Sequence, residues 1–163
     1  MEDTQNLPDD SSPSKPVAEF SEDQLSKLQF AIKERRKLST PTILIVEDQA
    51  VSRTLLEETL RRQKYICESA ENGLQAINLY AEFGPCITLL DIELPDIDGH
   101  RLAALFKKHD PESYIVMGTA NNYLKDVETA KTNQVQGFIA KPYNQQKILA
   151  VINNYIAQKK NRW

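Results

Sequence analysis

Ile87-Thr88-Leu89-Leu90-Asp91-Ile92-Glu93-Leu94-Pro95-Asp96-Ile97-Asp98-Gly99 is the stretch on which the fold turns. Its first four residues are almost continuously apolar, as a strand covered on both faces requires; a half-exposed strand would alternate. The run ends on a charge, Asp91, and then turns through Pro95 and Gly99 into a helical pattern over 99–108. An earlier unit has the same form. Ile43-Leu44-Ile45-Val46 ends on Glu47-Asp48 and is followed by a helical pattern over 52–62.

Working outward, the β-rich runs are 42–47, 65–69, 86–91, 114–119 and 137–140, and helical patterns follow them over 52–62, 74–82, 99–108, 124–131 and 145–157. A strand followed each time by a helix predicts an α/β domain with a five-stranded parallel sheet covered on both faces. Right-handed crossovers favour the doubly wound, flavodoxin-like order 2-1-3-4-5.

An extra N-terminal helix precedes this domain. The first 20 residues are poor in large apolar side chains and carry Pro8, Pro13 and Pro16 among Asp and Ser, so disorder is expected there. Ser21 with Gln24 forms a capping-box pattern, Glu22 and Asp23 load the first turn, and Arg35, Arg36 and Lys37 load the last, predicting a helix over 22–37. Leu25, Leu28 and Ile32 make a narrow apolar stripe with Phe30 and Ala31 off it. The stripe needs a partner, either its own domain or a dimer or effector surface. Pro41 closes the linker. The expected organisation is therefore a disordered tail over 1–20, a helix and linker over 21–40, the α/β domain over 41–158 and a short basic tail over 159–163.

At 163 residues, 40% hydrophobic and 26% charged, the chain has room for that domain and a modest extension, but not for a second full domain. Nothing recognisable is read after residue 158. No apolar run approaches the ~18 residues that cross a bilayer, and the start is acidic where a secretory signal is basic, so a cytoplasmic protein with no membrane partner is expected. A net charge of -3 argues against nucleic acid as a partner. Cys67 and Cys86 have neither metal-site nor redox-motif spacing and read as small reduced core residues. His100 and His109 have no carboxylate or cysteine arranged around them and read as surface or structural residues.

Polar residues collect at the strand ends: Glu47-Asp48, Asp91, Thr119 and Lys141. In an open α/β sheet the ligand binds beyond those ends, where strand order reverses. Three converging carboxylates would repel one another unless a cation neutralised them, and an all-oxygen site completed by water and phosphate suits Mg2+. Asp91 is central in the cluster and is the natural nucleophile toward a phosphoryl group. Lys141 would bind a phosphoryl oxygen as a point charge, and the Thr119 hydroxyl would donate to another.

These residues resemble the receiver domains of two-component response regulators. The resemblance is carried by Glu47-Asp48, by Asp91 with Pro95, Asp98 and Gly99, by Thr119-Ala120 and by Lys141-Pro142, and it extends over 42–157. It implies a phosphoryl-accepting signalling switch in a two-component or phosphorelay pathway, not an enzyme beyond self-catalysed phosphoryl uptake and hydrolysis. Asp91 would take phosphate from a sensor histidine kinase. Glu47 and Asp48 would hold Mg2+, Asp48 more directly, with Asp91 and the Glu93 backbone carbonyl completing the shell. Thr119 and Phe138 would form a switch pair that changes the surface made by the 124–131 helix, the 137–140 strand and the last helix. Phe138 also reads as ordinary packing. Glu93 and Asn122 fall where the family varies and tunes phosphoryl lifetime. Absence of a second domain implies a stand-alone, single-domain type with output through protein contacts. A histidine phosphotransfer protein or a downstream effector is a candidate partner, and a homodimer a candidate assembly.

Two other readings stand beside this one. A magnesium-dependent phosphatase would also use an aspartate nucleophile, but such enzymes typically place a second Asp two residues on, where this chain has Glu93. A phosphorylation-independent interaction module with the same fold would use the N-terminal helix and the face near Tyr143 constitutively.

Overall fold

The computed structural model describes residues 18–120, 131 and 133–161. Five parallel strands, β1 (Thr42–Val46), β2 (Ile66–Ala70), β3 (Ile87–Asp91), β4 (Tyr114–Thr119) and β5 (Gly137–Ala140), form one sheet in the order β2-β1-β3-β4-β5. The expected fold class and strand order are both observed. Helices α1 (Glu22–Arg35), α2 (Ala50–Arg62), α3 (Gly73–Phe83), α4 (Gly99–His109) and α5 (Gln145–Lys160) complete the described elements. Residues 124–130 of the helix expected over 124–131 and residues 1–17 of the tail expected over 1–20 lie outside the described residues, as do Asn122 and Arg162.

Strand alternation divides the core into two layers. Leu44, Val46, Leu90, Ile115 and Met117 face α3 and α4, while Ile43, Ile45, Ile87, Leu89 and Val116 face α2 and α5. Every residue of β1, β3 and β4 is buried, which explains why their sequences are continuous apolar runs. β2 is an edge strand with Ile66 and Glu68 exposed, and its run does alternate.

α1 packs on its own domain, against α3. Ser21 and Gln24 form the expected capping box, and Gln24 Nε2 also donates to Asn78 Oδ1 of α3 at 2.6 Å. The stripe needs correction: Ala31 is buried beside Leu28, with Leu25 and Ile32 only half-buried, because α3 ends against Ala31. That end is Gly84, in the left-handed region at φ 52°, where an added Cβ would stand 2.7 Å from Ala31 Cβ.

Other corrections concern Arg35, Phe20 and the last helix. Arg35 lies in the last turn of α1, but it is a buried ion-pair partner as well as a favourable dipole charge. Nη1 and Nη2 donate to Asp110 Oδ2 and Oδ1 at 2.5 and 2.7 Å, and Nη1 also donates to the Pro85 carbonyl at 2.9 Å. The Tyr80 hydroxyl gives Asp110 a further hydrogen bond at 2.9 Å. Phe20, assigned to the disordered tail, is buried against Tyr80, Phe106 and His109. α5 continues through Lys160, so Lys159 and Lys160 complement a helix C-terminus instead of forming a tail.

Candidate functional site

The site lies where β1 and β3 part, at the carboxyl edge of the sheet. Glu47 follows β1 directly, with its amide still bonded to the Ala70 carbonyl at 3.0 Å, and Asp91 is the last residue of β3. Both side chains are buried, whereas Asp48 is exposed. Carboxylate oxygens of Glu47, Asp48 and Asp91 lie within 4.8 Å of one another. Lys141, just beyond β5, places Nζ 3.0 Å from Asp91 Oδ2 and 3.1 Å from Glu47 Oε2.

Backbone and neighbouring side chains hold the cluster. Glu93 N–H donates to Asp91 Oδ1 at 3.1 Å, Gln49 N–H donates to Glu47 Oε1 at 3.1 Å, and Arg53 Nη1 donates to the carbonyls of Glu47 and Asp48 at 2.9 and 3.2 Å. Thr119 ends β4, buried, with its carbonyl accepting from Lys141 N–H at 2.9 Å. Alternation puts Thr119 on the same sheet face as Phe138, which pairs in register with Met117. The predicted residues Glu47, Asp48, Asp91 and Lys141 thus converge in one pocket, with Thr119 at the same edge. Phe138, half-buried one strand further out, packs against the α3–α4 layer.

Sequence reading missed the clamp on the loop after β3. Asp96 accepts from Gly73 N–H and Leu74 N–H at 2.8 and 2.9 Å, so the loop carrying Glu93 is tied to the N-terminus of α3. Burial would raise this carboxyl, but the amide donors of Gly73, Leu74 and Ile97 outweigh it and hold the pKa below the usual carboxylate range. The Pro-Asp-x-Asp-Gly spacing offered a signal for a loop anchor, but not for where the anchor lands. Tyr143 was missed as a pocket residue for a similar reason.

The electrostatics suit a divalent cation. Among the described residues, these three carboxylates face the ammonium of Lys141, and Glu47 Oε2, buried, has no hydrogen-bond partner beside that ion pair. Burial is the main force raising the Asp91 carboxyl, the Glu47 charge adds to it, and Lys141 and Glu93 N–H pull against both; the result is pushed up to about 7. For Lys141, burial works downward, but the hydrogen bonds and charges of Asp91 and then Glu47 raise its pKa overall. These all-oxygen donors fit Mg2+.

A pH dependence follows from the raised Asp91 value. The folded state holds this proton more tightly than the unfolded chain, whose Asp titrates near 3.9. Stability without metal should fall as pH rises from about 4 through 7, by on the order of 2 kcal/mol after allowance for relaxation and coupling to Lys141. Urea unfolding at pH 5 and pH 8 in a chelator measures this. Mg2+ should remove most of the loss at pH 8, and Asp91→Asn should flatten the slope; an equal slope in that variant would contradict the assignment.

A doubly wound sheet whose switch point carries a buried, lysine-bridged acidic pocket defines a class of phosphoacceptor domains. The chain belongs to the response regulator receiver domain family, whose model matches residues 43–153. It is 32% identical over 112 residues to the chemotaxis protein CheY of Bacillus subtilis (68% of this chain, 93% of that protein). It is 31% identical over 119 residues to the sporulation initiation phosphotransferase F of the same organism (73% of this chain, 96% of that protein). A CheY-like receiver domain from Methanospirillum hungatei has the same fold, with TM-score 0.72 and 23% identity, covering 77% of this chain and 100% of that one. The chain is therefore a response regulator receiver domain of the phosphoacceptor kind, and receiver domains are the signalling switches of two-component systems. Receiver domains bind Mg2+ at an acidic pocket and interact with histidine kinases and downstream effectors. No helix among the described residues is long and apolar enough to cross a membrane.

Proposed function

We propose that Asp91 is the phosphoacceptor of a cytoplasmic switch, loaded by a sensor histidine kinase while Mg2+ is held by Glu47, Asp48, Asp91 and the Glu93 carbonyl. The observation that carries this reading is the buried Asp91 carboxylate, bridged by Lys141 at 3.0 Å and within 4.8 Å of the other two carboxylates. A carboxylate oxygen of Asp91 attacks phosphorus, the bond to the donor's imidazole nitrogen breaks, and that nitrogen keeps the electron pair. Mg2+ held there would supply the positive charge that offsets the oxygens of the phosphoryl group and the carboxylates.

The chain's own groups do the rest. Lys141 exchanges its contact with Asp91 for one with a phosphoryl oxygen. Glu93 N–H and the Asp96 clamp keep the acceptor and its loop in place. Thr119 then turns toward the phosphoryl group, and Phe138, on the same face of the sheet, moves with it. Output passes by protein contact to an effector, a histidine phosphotransfer protein or a second copy of the chain.

Intact mass after exposure to acetyl phosphate, with and without Mg2+, tests the reading. A single phosphoryl adduct is expected in the wild type with Mg2+, and none in Asp91→Asn. A correctly folded wild type that gains no adduct from acetyl phosphate or from a kinase, and does not respond to beryllofluoride, would favour the phosphorylation-independent module instead.

A further inference from the structure

Of the three clustered carboxylates, Glu47 and Asp91 are held by burial and by the sheet, but Asp48 is exposed and lies past the end of β1. Something else must fix its direction. A side chain's direction is set by the two peptide planes that flank its Cα, because those planes are rigid and only φ and ψ turn between them. For Asp48 these are the planes that carry the Glu47 carbonyl and the Asp48 carbonyl. Arg53 Nη1 donates to both, at 2.9 and 3.2 Å. One nitrogen therefore restrains φ and ψ of Asp48 together, and with them the Cα–Cβ bond that aims the carboxylate.

Arg53 is itself held in place. Its N–H donates to the Gln49 carbonyl at 2.9 Å as α2 begins, its side chain is half-buried, and Nη2 lies 3.7 Å from Glu71 Oε2. Glu71 belongs to the loop between β2 and α3, where its N–H donates to Gln75 Oε1 at 2.9 Å. The same loop leads into Gly73 and Leu74, whose amides anchor Asp96. Both walls of the pocket, the loop after β1 and the loop after β3, are thus tied to the start of α3. Glu71 is exposed, so its ion pair with Arg53 contributes little, and the two carbonyl bonds are the ones that matter.

We propose that Arg53 is a positioning residue of the magnesium pocket: by bonding the carbonyls on either side of Asp48, it keeps that exposed carboxylate beside those of Glu47 and Asp91. This rests on the reading of Glu47, Asp48 and Asp91 as the Mg2+ site. Charge gives no reason for an arginine here. Near the start of α2 the helix dipole disfavours a cation, and beside a cation site a fixed positive charge repels the incoming ion. Geometry does give one. Mg2+ demands near-octahedral coordination, so a ligand free to turn loses affinity. Groups that orient a metal ligand typically change metal affinity ~10- to 100-fold when removed.

Titration calorimetry of Mg2+ against the full chain tests this by the sign of the effect. Removing a positive charge should by itself tighten Mg2+ binding. Arg53→Met, which keeps the apolar stem, should instead weaken it about tenfold, as if Asp48 were correctly aimed about one time in ten. Arg53→Lys keeps the charge and loses the rigid fork, so it should weaken binding about threefold, midway on a logarithmic scale. A second readout needs no metal. In a chelator, hydrogen exchange at the Gln49 amide, bonded to Glu47 Oε1, should quicken in Arg53→Met while amides within β1 and β3 keep wild-type rates. Faster exchange throughout both strands would mean a general loss of stability and would count against the proposal. A wild type that binds Mg2+, beside an Arg53→Met that binds it within twofold or more tightly, would overturn the role of Arg53 alone. A wild type that binds none would overturn the Mg2+ site and this proposal with it. If Arg53→Met fails to fold by circular dichroism, Arg53→Lys decides the matter, and wild-type affinity in that variant would overturn the role of Arg53.

Discussion

Arg35→Ala is expected to lose about 3 kcal/mol of stability, at the low end for removing one partner of a buried ion pair. The guanidinium and the Asp110 carboxylate are both buried and joined by two hydrogen bonds, so losing the cation strands an anion between α1, α3 and α4. Tyr80 still donates to that anion, which keeps the loss from the upper end of the range. The change should lower the melting temperature by roughly 6–12 °C for a chain of this size. Arg35→Met with Asp110→Leu should recover most of the loss, because an apolar pair leaves no charge to desolvate. Thermal unfolding by circular dichroism checks both variants. A loss under about 1 kcal/mol would mean that water reaches Asp110 freely. The same contacts make α1 a structural part of the domain, so removing residues 1–40 should destabilise it and not only alter its assembly.

Gly99→Ala is expected to damage stability and the site together. Gly99 opens α4, and its N–H donates to the Ile92 carbonyl at 2.9 Å, closing the loop after the acceptor. An added Cβ would overlap the Asp91 carbonyl oxygen and stand 2.7 Å from Ile92 Cα and 2.9 Å from the Ile92 oxygen. All three neighbours are backbone, so no side chain can swing aside. Either α4 or the segment 91–93 must shift, at a cost of about 3 kcal/mol, in the range of mutations that force backbone movement. The shift falls on the residues that present the acceptor and the Glu93 carbonyl. Mg2+ binding should therefore weaken by more than tenfold even below the melting temperature. Near-wild-type Mg2+ affinity in a folded Gly99→Ala would show that the loop absorbs the methyl without moving the site.

Much of the pocket was legible because each of its parts ends a strand. Glu47, Asp91, Thr119 and Lys141 follow apolar runs at positions where a buried strand must stop, and parallel order brings all such ends to one edge. Tyr143 was not legible in that way. It follows Pro142 in a turn, and its direction depends on Gly118, 25 positions earlier and one strand away. Asp96 similarly reads as one more acid in a polar turn until Gly73 and Leu74 lie opposite it. The stripe on α1 was found by its period, but the period could not tell whether Ala31 or Leu25 lay deepest. Ala is too small to register as a core residue until Gly84 comes to meet it.

By itself the amino-acid sequence determined the alternation of strand and helix, the two-sided burial of β1 and β3, the strand order and the edge where the carboxylates gather. These follow from steric and solvation rules that act along a few residues at a time, with one handedness rule to connect the units. Only the tertiary structure decided that α1 belongs to the domain, that Arg35 meets Asp110 from 75 positions away, and that Phe20 is core. A long-range pair depends on which surfaces come together and how far each side chain reaches, and no local pattern of period or charge encodes either.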